Sequence, residues 1–214
     1  MRKIIFYSAR QILTIFLFVT ISQSTVFSAG FELDLALGST YDASTTRSLL
    51  GVSSSGEAKL EGSNLRFIYM KDDNVGYGLR LANHEGEDTK DLSAGNAYKI
   101  SVSETSPFFK YGKNFNEGSD TVIEAYGLAG LNIASITASH TILDEITAST
   151  ASLMLEGGIF AGLNLDDISF GGGLSLPIDS YIGKFSWSLY GYTLDYDVDI
   201  KKRMTLYLFL RSEL

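Results

Sequence analysis

Apolar and polar side chains alternate along most of this chain, in runs of about ten residues that each end in a turn or a polar segment. The run at 31–38 places Phe and Leu on one face and Glu, Asp, Ala and Gly on the other. The run at 75–82 repeats this arrangement, with Val, Tyr and Leu opposite Gly, Arg and Ala. Because successive side chains of a β-strand point to opposite faces, a period of two predicts an all-β protein.

Eight such runs follow one another, at 31–38, 65–70, 75–82, 98–112, 123–132, 152–163, 168–176 and 204–211. Most set aliphatic side chains against a face of Gly, Ser and isolated charges. A soluble sandwich would bury its aliphatic side chains and expose many Lys, Thr and Glu. A narrow barrel interior instead requires small side chains and charges that pair across it. The pattern therefore predicts an eight-stranded antiparallel up-and-down β-barrel whose aliphatic face contacts lipid.

The links between the runs alternate in length. Short links lie at 72–74, 113–120 and 164–167, and long polar links at 39–62, 84–96, 134–150 and 177–203. This alternation is typical of transmembrane barrels, with short periplasmic turns, long external loops and both termini in the periplasm. Residues 185–199 are also β-like, and we expect them to extend strands seven and eight above the membrane. A ten-stranded barrel is the alternative.

The first 29 residues differ from the rest. Arg2, Lys3 and Arg10 precede an apolar segment at 12–21, and small residues follow at Ser28 and Ala29. This is the pattern of a cleaved secretory signal peptide, and the apolar segment is too short for a transmembrane helix. We expect a signal peptide at 1–29 and a barrel domain at 30–214, with an uncleaved N-terminal anchor as the alternative.

Charge and composition narrow the function. The net charge of −8 becomes −11 without the signal peptide, because 14 basic residues then face 25 acidic ones. An acidic exported protein without a basic patch is not expected to bind nucleic acid. The chain has no Cys, which excludes disulfides, thiol catalysis and a lipoprotein anchor. No cofactor or metal motif is present, so none is expected.

The mature chain resembles the small outer-membrane β-barrel family that includes the OmpA transmembrane domain and OmpX-type proteins. The resemblance rests on the alternation at 31–38, 75–82, 153–163 and 204–214. It implies insertion into outer-membrane lipid by the barrel-assembly machinery. That family usually ends in an aromatic residue, whereas this chain ends in Leu214.

The inward face of the predicted barrel carries five acidic and four basic residues. They are Glu32, Asp34, Glu104, Glu124 and Glu156 with Arg66, Arg80, Lys110 and Arg211. Buried charges need partners, so we expect a salt-bridge network that fills the lumen. The alternative is a narrow pore gated by rearrangement of this network.

Three other groups are weaker candidates. Ser139, His140 and Asp144 suggest a hydrolase triad, but adjacent Ser and His side chains point to opposite faces of a strand. The alternating Asp195, Asp197 and Asp199 suggest a Ca²⁺ site, although a solvated acidic loop is the simpler interpretation. The other histidine, His84, is expected in an external loop. Aromatic girdles at the membrane edges are expected from Tyr69, Tyr77, Phe109, Tyr111, Trp187 and Tyr207.

The sequence thus predicts a monomeric, non-enzymatic outer-membrane barrel with a structural or surface-interaction role, such as adhesion or shielding. Its partners are outer-membrane lipid and an extracellular ligand or host surface that contacts the external loops. The alternatives are a narrow gated pore, a lipid A-modifying hydrolase, and a soluble periplasmic barrel with its faces reversed around an apolar ligand.

Overall fold

A computed structural model describes residues 30–72, 74–88, 98–116, 120–140, 143–165, 167–189 and 191–213. The expected signal peptide lies outside these residues. The described residues form eleven β-strands: β1 (Gly30–Leu37), β2 (Ser39–Leu49), β3 (Val52–Met70), β4 (Val75–Asp88), β5 (Tyr98–Asn114), β6 (Thr121–His140), β7 (Leu143–Leu165), β8 (Ile168–Pro177), β9 (Ser180–Leu189), β10 (Tyr192–Lys202) and β11 (Thr205–Glu213). None of the described residues belongs to a helix long and apolar enough to cross a bilayer.

Eight of the strands form a closed antiparallel ring. Its order is β1-β11-β8-β7-β6-β5-β4-β3, and β3 pairs back to β1 from Gly30↔Met70 to Leu35↔Leu65. β1 also pairs with β11, from Gly30↔Glu213 to Leu37↔Leu206, so the described chain ends lie together at one end of the ring. The predicted eight-stranded up-and-down barrel is confirmed, and the ten-stranded alternative is wrong.

The other three strands continue members of the ring instead of adding to it. β2 follows β1 after Gly38, whose φ is 69°, β9 follows β8, and β11 follows β10. β2 pairs with β3 and with β10, and β10 pairs with β9. The expectation that residues 185–199 extend the strands is therefore confirmed.

The long links predicted as external loops are mostly strand, which corrects the sequence interpretation. β3 has 19 residues, β6 has 20 and β7 has 23, whereas about 9–11 residues suffice for a tilted transmembrane strand. About half of each strand therefore lies beyond the bilayer. Of the predicted loops, residues 89–96, 141–142 and 190 lie outside the described part of the chain.

We divide the molecule into two halves. The membrane half comprises β1, β8, β11 and residues 65–70, 75–81, 104–114, 121–133 and 153–165. The outer half comprises β2, β9, β10 and residues 52–64, 82–88, 98–103, 134–140 and 143–152. The short turns after β3, β5 and β7 lie at the end opposite the outer half. In the first of them, Asp72 Oδ1 accepts hydrogen bonds from the backbone nitrogens of Asn74 and Val75, at 2.9 and 2.8 Å.

The outward surface of the membrane half is apolar. Large side chains are exposed there on every strand of the ring, among them Leu33, Leu35, Phe67, Leu81, Phe109, Leu131, Leu155, Ile159, Leu163, Phe170, Leu174, Leu206, Leu208 and Leu210. Such a belt is stable only against lipid. The soluble alternative, which requires the aliphatic face inside, is therefore wrong.

Candidate functional site

The predicted charges meet in the lumen of the membrane half, beginning with a four-residue cluster near the short turns. Glu32 accepts from Lys110 Nζ and from Arg211 Nη2, each at 2.5 Å. Glu124 lies 2.6 Å from Arg211 Nη2 and 2.9 Å from Lys110 Nζ. Two acids and two bases thus alternate around one point. The ring of Phe160 contacts both cations, 4.8 Å from Lys110 Nζ and 5.1 Å from Arg211 Cζ.

A second cluster surrounds Arg66, which is fully buried. Its guanidinium pairs with Glu156 and lies 3.3 Å from Asp34 Oδ2. It also donates to Ser175 Oγ at 3.1 Å. β3 and β7 stand opposite each other in the ring of eight, so the bond from Arg66 to Glu156 crosses the full width of the lumen.

Arg80 connects this cluster to a third one nearer the outer half. Its Nη1 donates to Glu156 Oε2 at 3.0 Å, its Nε to Glu104 Oε1 at 2.6 Å, and its Nη2 to Asn132 Oδ1 at 2.6 Å. Ser106 Oγ donates to the same Glu104 oxygen at 2.5 Å. Each nitrogen of this buried guanidinium therefore has an oxygen partner, as a charge in a narrow lumen requires.

Sequence reasoning missed two members of the third cluster. Lys202 lies 3.2 Å from Glu104 and pairs with Asp179, which also accepts from Asn132 Nδ2 at 2.6 Å. Both lie in the segment 177–203, which the sequence predicts as an external loop. The alternation along β10 could have predicted that Lys202 points into the lumen, because it shares one face of the strand with the apolar Tyr196, Val198 and Ile200.

The lumen of the outer half is apolar instead of charged. Its core is aromatic and aliphatic and consists of Tyr41, Ala43, Ala58, Leu60, Tyr98, Ile100, Val102, Ala134, Ile136, Ala138, Tyr181, Phe185, Trp187, Tyr196, Val198 and Ile200. Apart from the pairs of Lys202 at its base, one ion pair lies inside this lumen among the described residues, between Arg47 Nη2 and Asp88 Oδ2 at 2.8 Å. The Arg47 guanidinium also stacks on Tyr98, with Cζ 4.5 Å from the ring centroid.

Tyrosine hydroxyls join this apolar core to the charged lumen below it. Tyr41 and Tyr181 both donate to Glu104 Oε2, Tyr41 at 3.2 Å. Burial raises the pKa of both phenols well above their usual range, and the Glu104 carboxylate adds to the effect. Both hydroxyls therefore keep their protons at any physiological pH and act as donors.

The outer half is not closed by a backbone ladder. Among the described strands, β9 pairs only with β10, and the outer part of β7 pairs only with β6. Trp187 Nε1 on β9 donates across this seam to Asp144 O on β7 at 2.7 Å. Side chains, rather than a continuous sheet, therefore hold the outer half together along the seam.

The weaker candidates do not assemble into chemistry. Ser139 and His140 are consecutive in β6, and the ring of His140 lies 4.5 Å from that of Tyr98. His84 is a buried strand residue, which corrects its expected place in a loop; its Nε2 lies 2.9 Å from Ser39 Oγ. The three aspartates at 195, 197 and 199 alternate on the outward face of β10. No three potential metal ligands converge among the described residues.

The aromatic girdle is only partly as predicted. Tyr69, Tyr77, Phe109 and Tyr111 do lie on the outward face, and Tyr77 packs against Phe109 with ring centroids 5.6 Å apart. Trp187 and Tyr207 are instead buried. Trp187 belongs to the outer core, and the Tyr207 ring stacks 3.8 Å from Arg66 Cζ. Both side chains lie on the inward face of their strands, so this part of the girdle prediction is wrong.

The comparisons with known proteins agree with this geometry. No protein-family model and no curated protein sequence matches the chain. Among solved structures, OprG from Pseudomonas aeruginosa is similar at 19% identity with a TM-score of 0.56, over 88% of this chain and 97% of OprG. The complex of Ail from Yersinia pestis with a heparin analogue is also similar, at 12% identity and a TM-score of 0.40, over 83% of this chain and 99% of Ail.

A major outer-membrane protein from Thermus thermophilus is similar at 11% identity with a TM-score of 0.45, over 82% of this chain and 99% of that one. The similarity to OprG establishes the fold. The belt of aliphatic side chains around a lumen of paired charges requires lipid outside the ring. The protein thus has the fold of the small outer-membrane β-barrel proteins, and it lies in the outer membrane.

Proposed function

We propose that the protein is a closed, non-enzymatic barrel that anchors a rigid β-sheet extension at the cell surface for interaction with its surroundings. The observation that carries this proposal is the set of ion pairs that cross the lumen. Arg66 on β3 bonds to Glu156 on the opposite strand, and the Lys110–Glu32 and Arg211–Glu124 pairs each join strands three positions apart in the ring. These contacts fill the interior at several levels.

The outer half supports the interaction role. The part of β7 that lies beyond the membrane half, residues 143–152, spans roughly 30 Å along the strand. The lumen of the outer half is packed with aromatic side chains, so this extension is a folded body instead of a set of mobile loops. Binding functions sit most often on surfaces that a rigid scaffold holds in place.

Conductance across a planar lipid bilayer tests the closed lumen. The refolded wild-type protein is expected to give no stepwise conductance at neutral pH, because the crossing ion pairs occupy the lumen. The double variant Arg66→Ala with Glu156→Ala removes the longest crossing contact and is expected to open small water-filled steps. Steady conductance of the wild-type protein would instead favour the narrow gated pore.

Mass spectrometry of lipid A from producing cells tests the absence of enzymatic activity. We expect lipid A of unchanged mass, since Ser139 and His140 point to opposite faces of β6. A change in mass that His140→Ala abolishes would favour the hydrolase.

For the surface role, adherence of producing cells to cultured cells is expected to fall when a two-residue Asn-Gly turn replaces residues 46–55.

The proposal includes export and assembly. We propose that residues 1–29 are removed as a signal peptide, that the barrel-assembly machinery inserts the chain, and that the barrel is a monomer. The acid-free, positively charged start of the chain and its apolar segment at 12–21 support the first step. N-terminal sequencing of the outer-membrane form is expected to begin near residue 29 or 30.

A further inference from the structure

The β2–β3 and β9–β10 hairpins of the outer half carry an exposed apolar surface, which we call the tip patch and define as Leu49, Leu50, Val52 and Tyr192. Leu50, Val52 and Tyr192 are 71%, 74% and 53% exposed. The first three residues form the turn between β2 and β3, and Tyr192 begins β10. The two turns are neighbours, because Leu49 of β2 pairs with Leu194 of β10. They stand at the end of β2, β3, β9 and β10 that points away from the membrane half.

The tip patch is electrically neutral although the protein is acidic. Neither of the segments 48–55 and 186–194 contains an Asp, Glu, Lys, Arg or His. On the outward face, charged residues return just beyond them, at Glu57 on β3, at Lys184 on β9, and at Asp195 and Asp197 on β10. The hairpins thus end in an apolar, uncharged tip above sides on which these acidic residues outnumber the basic one.

The backbone at Leu50 is unusual for the residue it carries. Leu50 has a φ of 53° and Gly51 a φ of 79°, the pattern of a type I′ turn, in which both central residues are left-handed. Asn-Gly is the preferred pair for such a turn, and a large aliphatic side chain in the left-handed region is strained. The chain therefore holds a leucine at the apex of the hairpin against local preference, which is characteristic of functional positions.

We propose that the tip patch inserts into the surface of an apposed lipid bilayer with electrically neutral headgroups. Two convex turns cannot enclose a small ligand, whereas a deformable bilayer accommodates protruding aliphatic side chains. Tyr192 has the amphipathic ring that favours the headgroup level. Neutral headgroups do not repel the acidic sides of the hairpins, as anionic headgroups would. The inference rests on the proposed surface-interaction function and names its partner.

The test uses the full mature barrel in lipid nanodiscs, mixed with phosphatidylcholine vesicles and separated by flotation. The variant Leu50→Asn with Val52→Thr removes two anchors and keeps the hairpin, because Asn-Gly suits the turn better than Leu-Gly. Its vesicle-bound fraction is expected to fall about tenfold, since each buried aliphatic side chain contributes substantially to insertion. The matched control is Ile182→Thr, which removes an apolar side chain that is 57% exposed on the outward face of β9 and is expected to bind as the wild type does.

Five outcomes would overturn the inference, and the first four concern binding. These are wild-type protein that fails to float, equal binding by the double variant, binding that requires anionic lipid, and binding to cells but not to protein-free vesicles, which would assign a protein partner. Self-association lost in the double variant would assign a second copy instead. Conductance and cell adherence are measured on the same variants, so that failure of this inference can be told from failure of the proposed function. A protein that does not conduct and still mediates adherence, but does not bind lipid vesicles, contradicts only the inference.

Discussion

The membrane half and the outer half are built from the same eight paths of the chain, but their chemistry is opposite. In the membrane half, aliphatic side chains point outward and charges point inward. In the outer half, Ser, Thr, Glu and Lys point outward, and an aromatic core fills the lumen. Along β3, β4, β5, β6 and β7, the same alternate positions point inward in both halves, and only the type of residue at those positions changes, because the solvent outside changes from lipid to water. The inward positions shift by one residue at Gly38, between β1 and β2, and at 203–204, between β10 and β11.

β5 shows this change within one strand. Tyr98, Ile100 and Val102 point inward in the outer half, and Glu104 is the first inward residue below them. On the outward face, Lys99, Ser101 and Ser103 give way to Phe109 and Tyr111. The lesson is that an inside-out barrel and a conventional soluble barrel can share a strand when its polarity reverses at the membrane surface.

The halves also differ in how they close. The membrane half is closed by backbone ladders on all sides, as lipid demands, since an unpaired backbone group there costs several kcal/mol. The outer half tolerates an open seam between β7 and β9, because water satisfies unpaired backbone groups. The following predictions test this comparison.

The largest effect is expected from Arg80→Met, which leaves Glu104 and Glu156 without a major partner inside the membrane half. Breaking a buried pair from one side should lower the free energy of unfolding by about 4 kcal/mol. Urea unfolding of the refolded barrel in vesicles measures this change. Lys59→Ala, which breaks the exposed Lys59–Glu61 pair of the outer half, is the control and should not alter the transition. Equal effects of both variants would contradict a stabilising salt-bridge network in the lumen.

Trp187→Ala should separate the two halves. The indole lies in the outer core and bridges the seam to Asp144, and its loss should destabilise the outer half by about 3 kcal/mol. External protease should then cut the outer half. The membrane half should still migrate differently in SDS gels before and after heating, as a folded barrel does, and this difference is the heat-dependent gel shift. Loss of that shift as well would show that the halves unfold as one unit.

Two arginine substitutions on β6 place one charge at equivalent parity in each half. Leu131→Arg puts it in the lipid-facing belt, two residues from the outer edge of the membrane half, and should cost about 1 kcal/mol, because the cost of a lipid-facing charge falls from the bilayer centre towards the interface. Thr137→Arg, six residues further along the same outward face, should have no measurable cost. Unfolding midpoints in lipid vesicles provide the measurement. Similar costs at both sites would place the membrane boundary beyond residue 137.

The smallest effect is expected from Leu50→Asn alone. It relieves the left-handed leucine of the β2–β3 turn and should stabilise that hairpin by less than about 1 kcal/mol. Slower amide hydrogen exchange near the hairpin end would report this change, with no change expected in β1 or β11. Faster exchange would indicate that Leu50 makes contacts that favour the turn.

The sequence by itself determined the faces, the number and the direction of the strands. A period of two is a local property of the chain, so Arg66, Arg80 and Glu156 could be assigned to the lumen before any strand was paired. The short turns and the even number of strands then left one simple ring. The aliphatic face could be assigned to the lipid because the opposite face carries the small side chains that a narrow lumen requires.

Only the tertiary structure decided which lumen charges meet and where the strands end. Contacts such as Arg66–Glu156 and Glu104–Lys202 join distant strands, and their partners depend on the tilt and stagger of the whole ring. The outer strands were mistaken for loops because their apolar and polar faces exchange places at the membrane surface. A pattern of side chains records which residues share a face, but the surrounding solvent decides which type of residue belongs there.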